Sequence, residues 1–126
     1  MIIFSEKLVE YIKNPRNLGE LMDPTVIGST RCSIYGDIAY FYLKIEKQNG
    51  HKIIKDISFQ TFGSAVSVAA SSLLTELVKG KTLKEAKELT KVDIASALEI
   101  LPENSLHFTN LARNALRNAI NKYNGK

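Results

Sequence analysis

The chain carries one thiol, Cys32, and two imidazoles, His51 and His107. Cys32 opens the stretch Cys32-Ser33-Ile34-Tyr35-Gly36-Asp37, three residues before Tyr35. A sulfur, a nitrogen and a carboxylate, as Cys32, His107 and Asp37 would supply, can bind zinc or iron with water completing the shell. The competing reading is that Cys32 is a small loop residue, Asp37 a turn residue beside Gly36, and His107 a cap or pad at a helix start. His51, next to a turn, reads as exposed. The chain shows no Ser-His-Asp order, carboxylate pair or glycine-rich phosphate loop, so no catalytic role is expected.

The elements that must position these groups fall into two halves. Ser5 can cap a helix through about Lys13, with Leu8, Val9 and Ile12 on one face and Pro15 ending it. Residues 14–31 contain Pro15, Gly19, Pro24 and Gly28 and read as a loop with a short strand near Val26. Ile38–Glu46 is aromatic and branched, Asn49-Gly50 is a hairpin turn signal, and Ile53–Gln60 returns as the antiparallel partner. Tyr40 and Tyr42 alternate with Phe41 and Leu43, which sheet packing accounts for. The second half is helical. Ala65–Lys79 stops at Gly80, and Thr82-Leu83-Lys84-Glu85 has capping-box spacing. Asp93 is expected to cap a helix through about Ile100, before Pro102, and Thr109–Tyr123 forms an amphipathic C-terminal helix. Strands first and helices after predict an α+β domain: a small antiparallel sheet of about three strands with helices packed on one face.

At 126 residues, 44% hydrophobic and 24% charged, the composition is that of one globular domain spanning residues 1–126. A single cysteine permits no intrachain disulfide, which favours a reducing compartment. No apolar run approaches membrane-spanning length, and Met1–Lys7 lacks a basic region followed by an apolar one, so a cytoplasmic location is expected, with no membrane partner. The net charge of +4 is mild. Lys79, Lys81, Lys84, Lys87 and Lys91 interleave with Glu76, Glu85 and Glu88, a solvated helical face or a docking surface for an acidic partner. No aromatic-and-basic stacking pattern supports nucleic-acid binding.

Several spaced blocks resemble the NifU/IscU-type iron–sulfur scaffold family. Asn14-Pro15-Arg16-Asn17-Leu18-Gly19 resembles its N-terminal signature, and Phe59–Gly63 followed by Ala69-Ala70-Ser71-Ser72 resembles its second block. Thr75–Ala86 is similar to a third, and Leu111-Ala112 with Ala115 fits the C-terminal helix. The resemblance covers essentially the whole chain. It implies that three cysteines have been replaced: the family's Cys-Gly-Asp reads Tyr35-Gly36-Asp37 here, its Gly-Cys-Gly reads Gly63-Ser64-Ala65, and its His-Cys reads His107-Phe108. The segment Leu101–Ser105 also lacks the Leu-Pro-Pro-Val-Lys peptide that specialised chaperones read in some members.

The resemblance further implies that Tyr35, Asp37, Ser64, His107 and Phe108 converge at one end of the molecule. Clusters are held mainly by soft thiolates. Ser64 offers a hydroxyl, Phe108 no ligand atom, and Tyr35 a hard phenolate. Sulfur transfer from a cysteine desulfurase likewise needs an accepting thiol. The expectation is therefore an accessory or regulatory binding module of iron–sulfur cluster assembly, with a cysteine desulfurase or another assembly protein as partner and no cofactor. The alternative is a metal or cluster carrier using zinc or iron at a rebuilt site of Cys32, Asp37 and His107, in a homo-oligomer that shares ligands.

Overall fold

The computed structural model describes residues 5–32, 36–99 and 102–125, the side chains of 102–107 excepted. Its centre is a three-stranded antiparallel sheet in the order β1-β2-β3, from β1 (Val26–Arg31), β2 (Ile38–Gln48) and β3 (His51–Phe62). The Asn49-Gly50 turn takes positive φ at both positions, 52° and 81°, the pattern of a two-residue hairpin matched to strand twist. Pairing then runs from Gln48↔His51 to Ile38↔Phe62, with one bulge at Lys44/Ile45. The α+β class, the antiparallel sheet and the hairpin are as the sequence predicts.

Alternation sorts the strands into two faces. Ala39, Phe41 and Leu43 of β2 and Ile54, Ile57 and Phe59 of β3 point to the helices and are at most 1% exposed. They meet α2 (Ala65–Val78) and α5 (Pro102–Asn124), and α1 (Glu6–Lys13), α3 (Leu83–Glu88) and α4 (Lys91–Ala97) complete the same layer. The opposite face carries Tyr40, T-shaped on Phe62 at 6.2 Å, and Tyr42, whose hydroxyl donates to Gln60 at 2.6 Å. The chain crosses this face between residues 19 and 25. The Gly19 N–H donates to Phe59 O on the free edge of β3, the Thr25 N–H donates to Leu43 O, and Lys44 Nζ donates to Asp23 O. That crossing accounts for the burial of Tyr42 and its cross-strand neighbour Ser58. Among the described residues, no helix is long and apolar enough to cross a membrane.

The structure moves three boundaries. β1 runs straight through Gly28, which the sequence marks as a loop residue. A Cβ there would stand 2.3 Å from the backbone nitrogen of Ala119, so glycine is what lets α5 cross β1. The first turn of α4 is capped by Thr90, and Asp93 sits three residues inside it as the reciprocal member of a capping box. The helix ends at Ala97, short of Ile100, because Glu99 takes a φ of +57°. Helix α5 begins at Pro102, a turn and more before Thr109. Pro102 opens this helix: a first helical residue needs no N–H and favours the fixed φ of proline.

The edge of β1 is closed by α5 side chains. Asn118 Oδ1 accepts from the Ser29 N–H at 2.9 Å, and Lys122 Nζ donates to Ile27 O at 2.8 Å. Because α5 also stands on Gly28, Gly28→Ala forces the helix off the strand. It should cost about 1–3 kcal/mol, as core overpacking does. Urea denaturation checks this, and an unchanged midpoint would rule out the close crossing.

Candidate functional site

Of the residues singled out by the sequence, Cys32, Asp37 and Ser64 lie around the end of the sheet opposite the hairpin. The loop leaving β1 closes on itself: the Cys32 N–H donates to Asp37 O at 2.8 Å and the Gly36 N–H donates to Cys32 O at 2.7 Å. This closure turns Asp37 inward at the start of β2. β3 ends at Phe62, opposite Ile38, so Gly63 and Ser64 arrive beside Asp37. Ser64 caps α2, its Oγ accepting from the Ser67 N–H at 3.2 Å.

The Asp37 carboxylate is 7% exposed and rests on the first turn of α2. Its Oδ2 accepts from Ser67 Oγ at 3.0 Å and from the Ser64 N–H at 3.4 Å. Ser64 Oγ lies 3.1 Å from Ser67 Oγ, which closes a ring of polar contacts. The helix N-terminus supplies a further favourable field for a carboxylate. Gly63 is needed for this approach, since a Cβ there would lie 2.3 Å from Asp37 Cγ.

The structure thus brings Asp37 and Ser64 together. It ties Cys32 to Asp37 through the backbone, while Cys32 itself is half-buried against the core. Cys32 also lines a cavity of about 160 Å³ between β1 and α5, with Arg31, Asn110 and Asn114. Phe108 is half-buried and packs on the core from α5. His107 lies within α5, but its side chain, like all of Tyr35, is outside the described residues, so the convergence of all five positions stays an expectation. His51 is exposed at the start of β3. Among the described residues, no three His, Cys, Asp or Glu side chains group closely enough to hold a metal ion.

Sequence reasoning missed Ser67. The Ser64-x-x-Ser67 spacing at a helix start was the available signal, because a polar side chain three residues past the cap shares its hydrogen bonds. It also missed what the Asn14–Gly19 block does. The Arg16 N–H donates to Ser72 Oγ at 2.6 Å, Asn17 Nδ2 donates to Thr75 Oγ1 at 2.9 Å, and Asn17 O accepts from the Phe59 N–H at 2.9 Å. This block is a brace between α2 and the free edge of β3. The Arg16 guanidinium stacks 4.5 Å from the Tyr11 ring centre and pairs with Glu10 at 2.8 Å. The Tyr11 hydroxyl donates to Glu76, and burial together with that carboxylate pushes the Tyr11 pKa up to about 12.

The comparisons with known proteins agree with this architecture. The NifU-like N-terminal domain family matches residues 3–126. The chain is 41% identical over 127 residues to iron–sulfur cluster assembly scaffold protein IscU 1 of Archaeoglobus fulgidus, spanning 98% of this chain and 80% of that protein. It is 38% identical over 129 residues to the scaffold protein IscU of Escherichia coli K12, spanning 98% and 95%. Among solved structures, the N-terminal NifU-like protein of Brucella abortus superposes with a TM-score of 0.74 at 18% identity, over 98% of this chain and 96% of that one. A putative SUF-system scaffold of Fervidobacterium islandicum gives 0.72 at 18%, over 93% and 96%. At such identities these two show the fold. The chain belongs to the NifU-like N-terminal domain family, a divergent member with Cys32 as its single cysteine.

Two outcomes follow from this geometry. Ser67→Ala removes a donor from a buried carboxylate and should cost about 1.5–3 kcal/mol, the range for hydrogen bonds to charged groups. In an Asp37→Ala background the same change should cost far less, and additive losses in urea melts would show that the two do not interact. Tyr11 has its folded pKa raised above the ordinary tyrosine value of 10.0 to about 12. Its contribution is therefore fully present below pH 10.0 and is lost as pH rises toward 12. Tyr11→Phe should flatten the fall of stability across that window, and parallel curves for the two proteins would refute the assignment.

Proposed function

We propose that this chain acts in iron–sulfur cluster assembly as an accessory or regulatory binding module, one that does not itself hold a conventional cluster. The names of its relatives as assembly scaffolds support the process. The observation that carries the finer reading is the closed ring of Asp37, Ser64 and Ser67. A cluster is cargo for such a scaffold, and it is gripped by thiolates. In this chain the carboxylate accepts from the first turn of α2, and the hydroxyl at Ser64 is spent on capping that turn. Phe108 offers no ligand atom and packs on the core from α5. These donors do not fit a thiolate-held cluster.

On this reading residues 1–126 work as one cytoplasmic domain that docks on a cysteine desulfurase or another assembly protein, and no residue acts as a catalytic group. The brace of Arg16 and Asn17 gives that docking a firm surface, because it fixes the N-terminal segment to α2 and β3. The second reading, a metal carrier at Cys32, Asp37 and His107, draws on one observation: the tight turn holding the backbones of Cys32 and Asp37 together.

Anaerobic incubation with iron, sulfide and reductant separates the two. The expected outcome is no stable visible absorption of a 2Fe–2S cluster, no stoichiometric iron, and unchanged metal content in Cys32→Ser. The same protein should bind a cysteine desulfurase in a sedimentation or interferometry assay. A stable cluster would overturn the proposal. Loss in Cys32→Ser of zinc or iron held by the parent would establish the carrier reading in its place.

A further inference from the structure

The end of the molecule that carries the hairpin gathers several exposed lysines. Lys47 and Lys52 stand directly opposite each other across β2 and β3, an arrangement of like charges that a sheet does not favour. Lys81 and Lys84 are brought to the same end by main-chain ties. The Ile54 N–H donates to Lys81 O at 2.9 Å, the Gly80 N–H donates to Ile54 O at 2.8 Å, and Thr82 bridges Ile53. Lys47, Lys52, Lys81 and Lys84 are all exposed, and none enters an ion pair among the described residues.

The carboxylates nearby are committed elsewhere. Glu46 pairs with Lys55 and Asp56 with Lys79. Glu85 closes the capping box on the Thr82 N–H at 2.9 Å, and that bond, with the charges of Lys81 and His51 nearby, holds its carboxyl below the usual range. Between the hairpin and α3 lies an open hollow of about 380 Å³ lined by His51, Lys52, Leu83, Lys84 and Asn124. The Lys52 ammonium lies over the Tyr123 ring, 5.0 Å from its centre.

We propose that this basic hollow is a docking site for an acidic segment of a partner protein, independent of the site end and of the function proposed above. Charge complementarity selects the occupant: Lys52 and Lys84 flank a hollow whose apolar wall is Leu83, which suits carboxylates on either side of an aliphatic side chain. A nucleic acid is disfavoured because the nearest aromatic ring, Tyr123, has Lys52 over its face and offers no stacking platform. The lysine-rich segment seen in the sequence thereby divides. Lys84 lines the hollow, Lys79 is paired with Asp56, and Lys87 donates to Asn121.

The test uses the full isotopically labelled chain, titrated at low salt with a short Glu/Asp-rich peptide carrying one leucine. Its Gln/Asn counterpart, inorganic phosphate and a DNA duplex serve as comparisons. The expected result is saturable amide shifts centred on His51, Lys52, Thr82 and Lys84, weakening with salt and absent with the Gln/Asn peptide. The Lys52→Glu/Lys84→Glu protein should bind about tenfold more weakly, in line with the loss and reversal of two exposed pairs. Lys84→Gln, a mild change on an exposed helix, should give a smaller loss in the same direction. Absence of saturable binding, shifts centred elsewhere, equal affinity of the variants, or tighter binding of duplex or phosphate than of the acidic peptide would each overturn the proposal.

Discussion

Everything in this fold leans on α2 being enclosed by protein. Most of its residues, from Val66 to Val78, are buried, hydroxyl-bearing ones included: Ser67, Ser71, Ser72 and Thr75 are each 0% exposed. A buried hydroxyl without a partner carries a desolvation cost of about 1–3 kcal/mol, so its surroundings are constrained to offer one. Ser67 is met by Asp37, Ser72 by the main chain of Arg16, and Thr75 by Asn17 and by Ser72 O. Three polar positions on one helix thus fix two distant stretches of chain, the brace at 16–17 and the start of β2. Ser71 finds no such partner among the described residues.

The same enclosure sets the character of the site end. A helix N-terminus buried at the sheet's edge leaves N–H groups that must be answered. Ser64 answers one as the cap, and the Asp37 carboxylate takes up the Ser64 N–H and the Ser67 hydroxyl. Serine and aspartate here therefore work as a joint between sheet and helix. The side chains of Asp37, Ser64 and Ser67 at this end hydrogen-bond one another. The opposite end of the sheet differs in kind, because the hairpin and the α2–α3 connection gather exposed lysines there.

The covered and open faces of the sheet follow from where the chain must cross. The brace at Asn17 and Gly19 sits on the outer edge of β3, while β1 lies beyond β2. With helices filling one face, the connection has to run over the other, and it buries Tyr42 and Ser58 on the way. Tyr40 and Phe62 remain beyond that crossing and stack on each other. The alternating aromatic pattern is thus packing for one tyrosine and a surface pair for the next.

Local chemistry alone settled a good deal. Asn49-Gly50 dictated the hairpin and hence the β2–β3 register, since only residues tolerant of positive φ fit a two-residue turn. Ser5 and Thr82 with Glu85 marked helix starts through bonds between near neighbours, and Gly80 marked a helix end by its positive φ. The blocks Asn14–Gly19 and Thr75–Ala86 identified the family. What the sequence could not decide depended on contacts between residues far apart along the chain. Gly28 looked like a loop signal until α5 was seen to pass over it. Pro102 looked like a stop because a proline that ends one helix and a proline that opens the next read alike locally. Asp37 was readable as a ligand or a turn residue, and only the arrival of Ser64 and Ser67 beside it, some thirty positions later, made it a hydrogen-bonded joint. Turns and caps are short-range and are written in neighbouring residues. The partner of a buried carboxylate is chosen by tertiary packing, which brings together atoms that the sequence keeps apart.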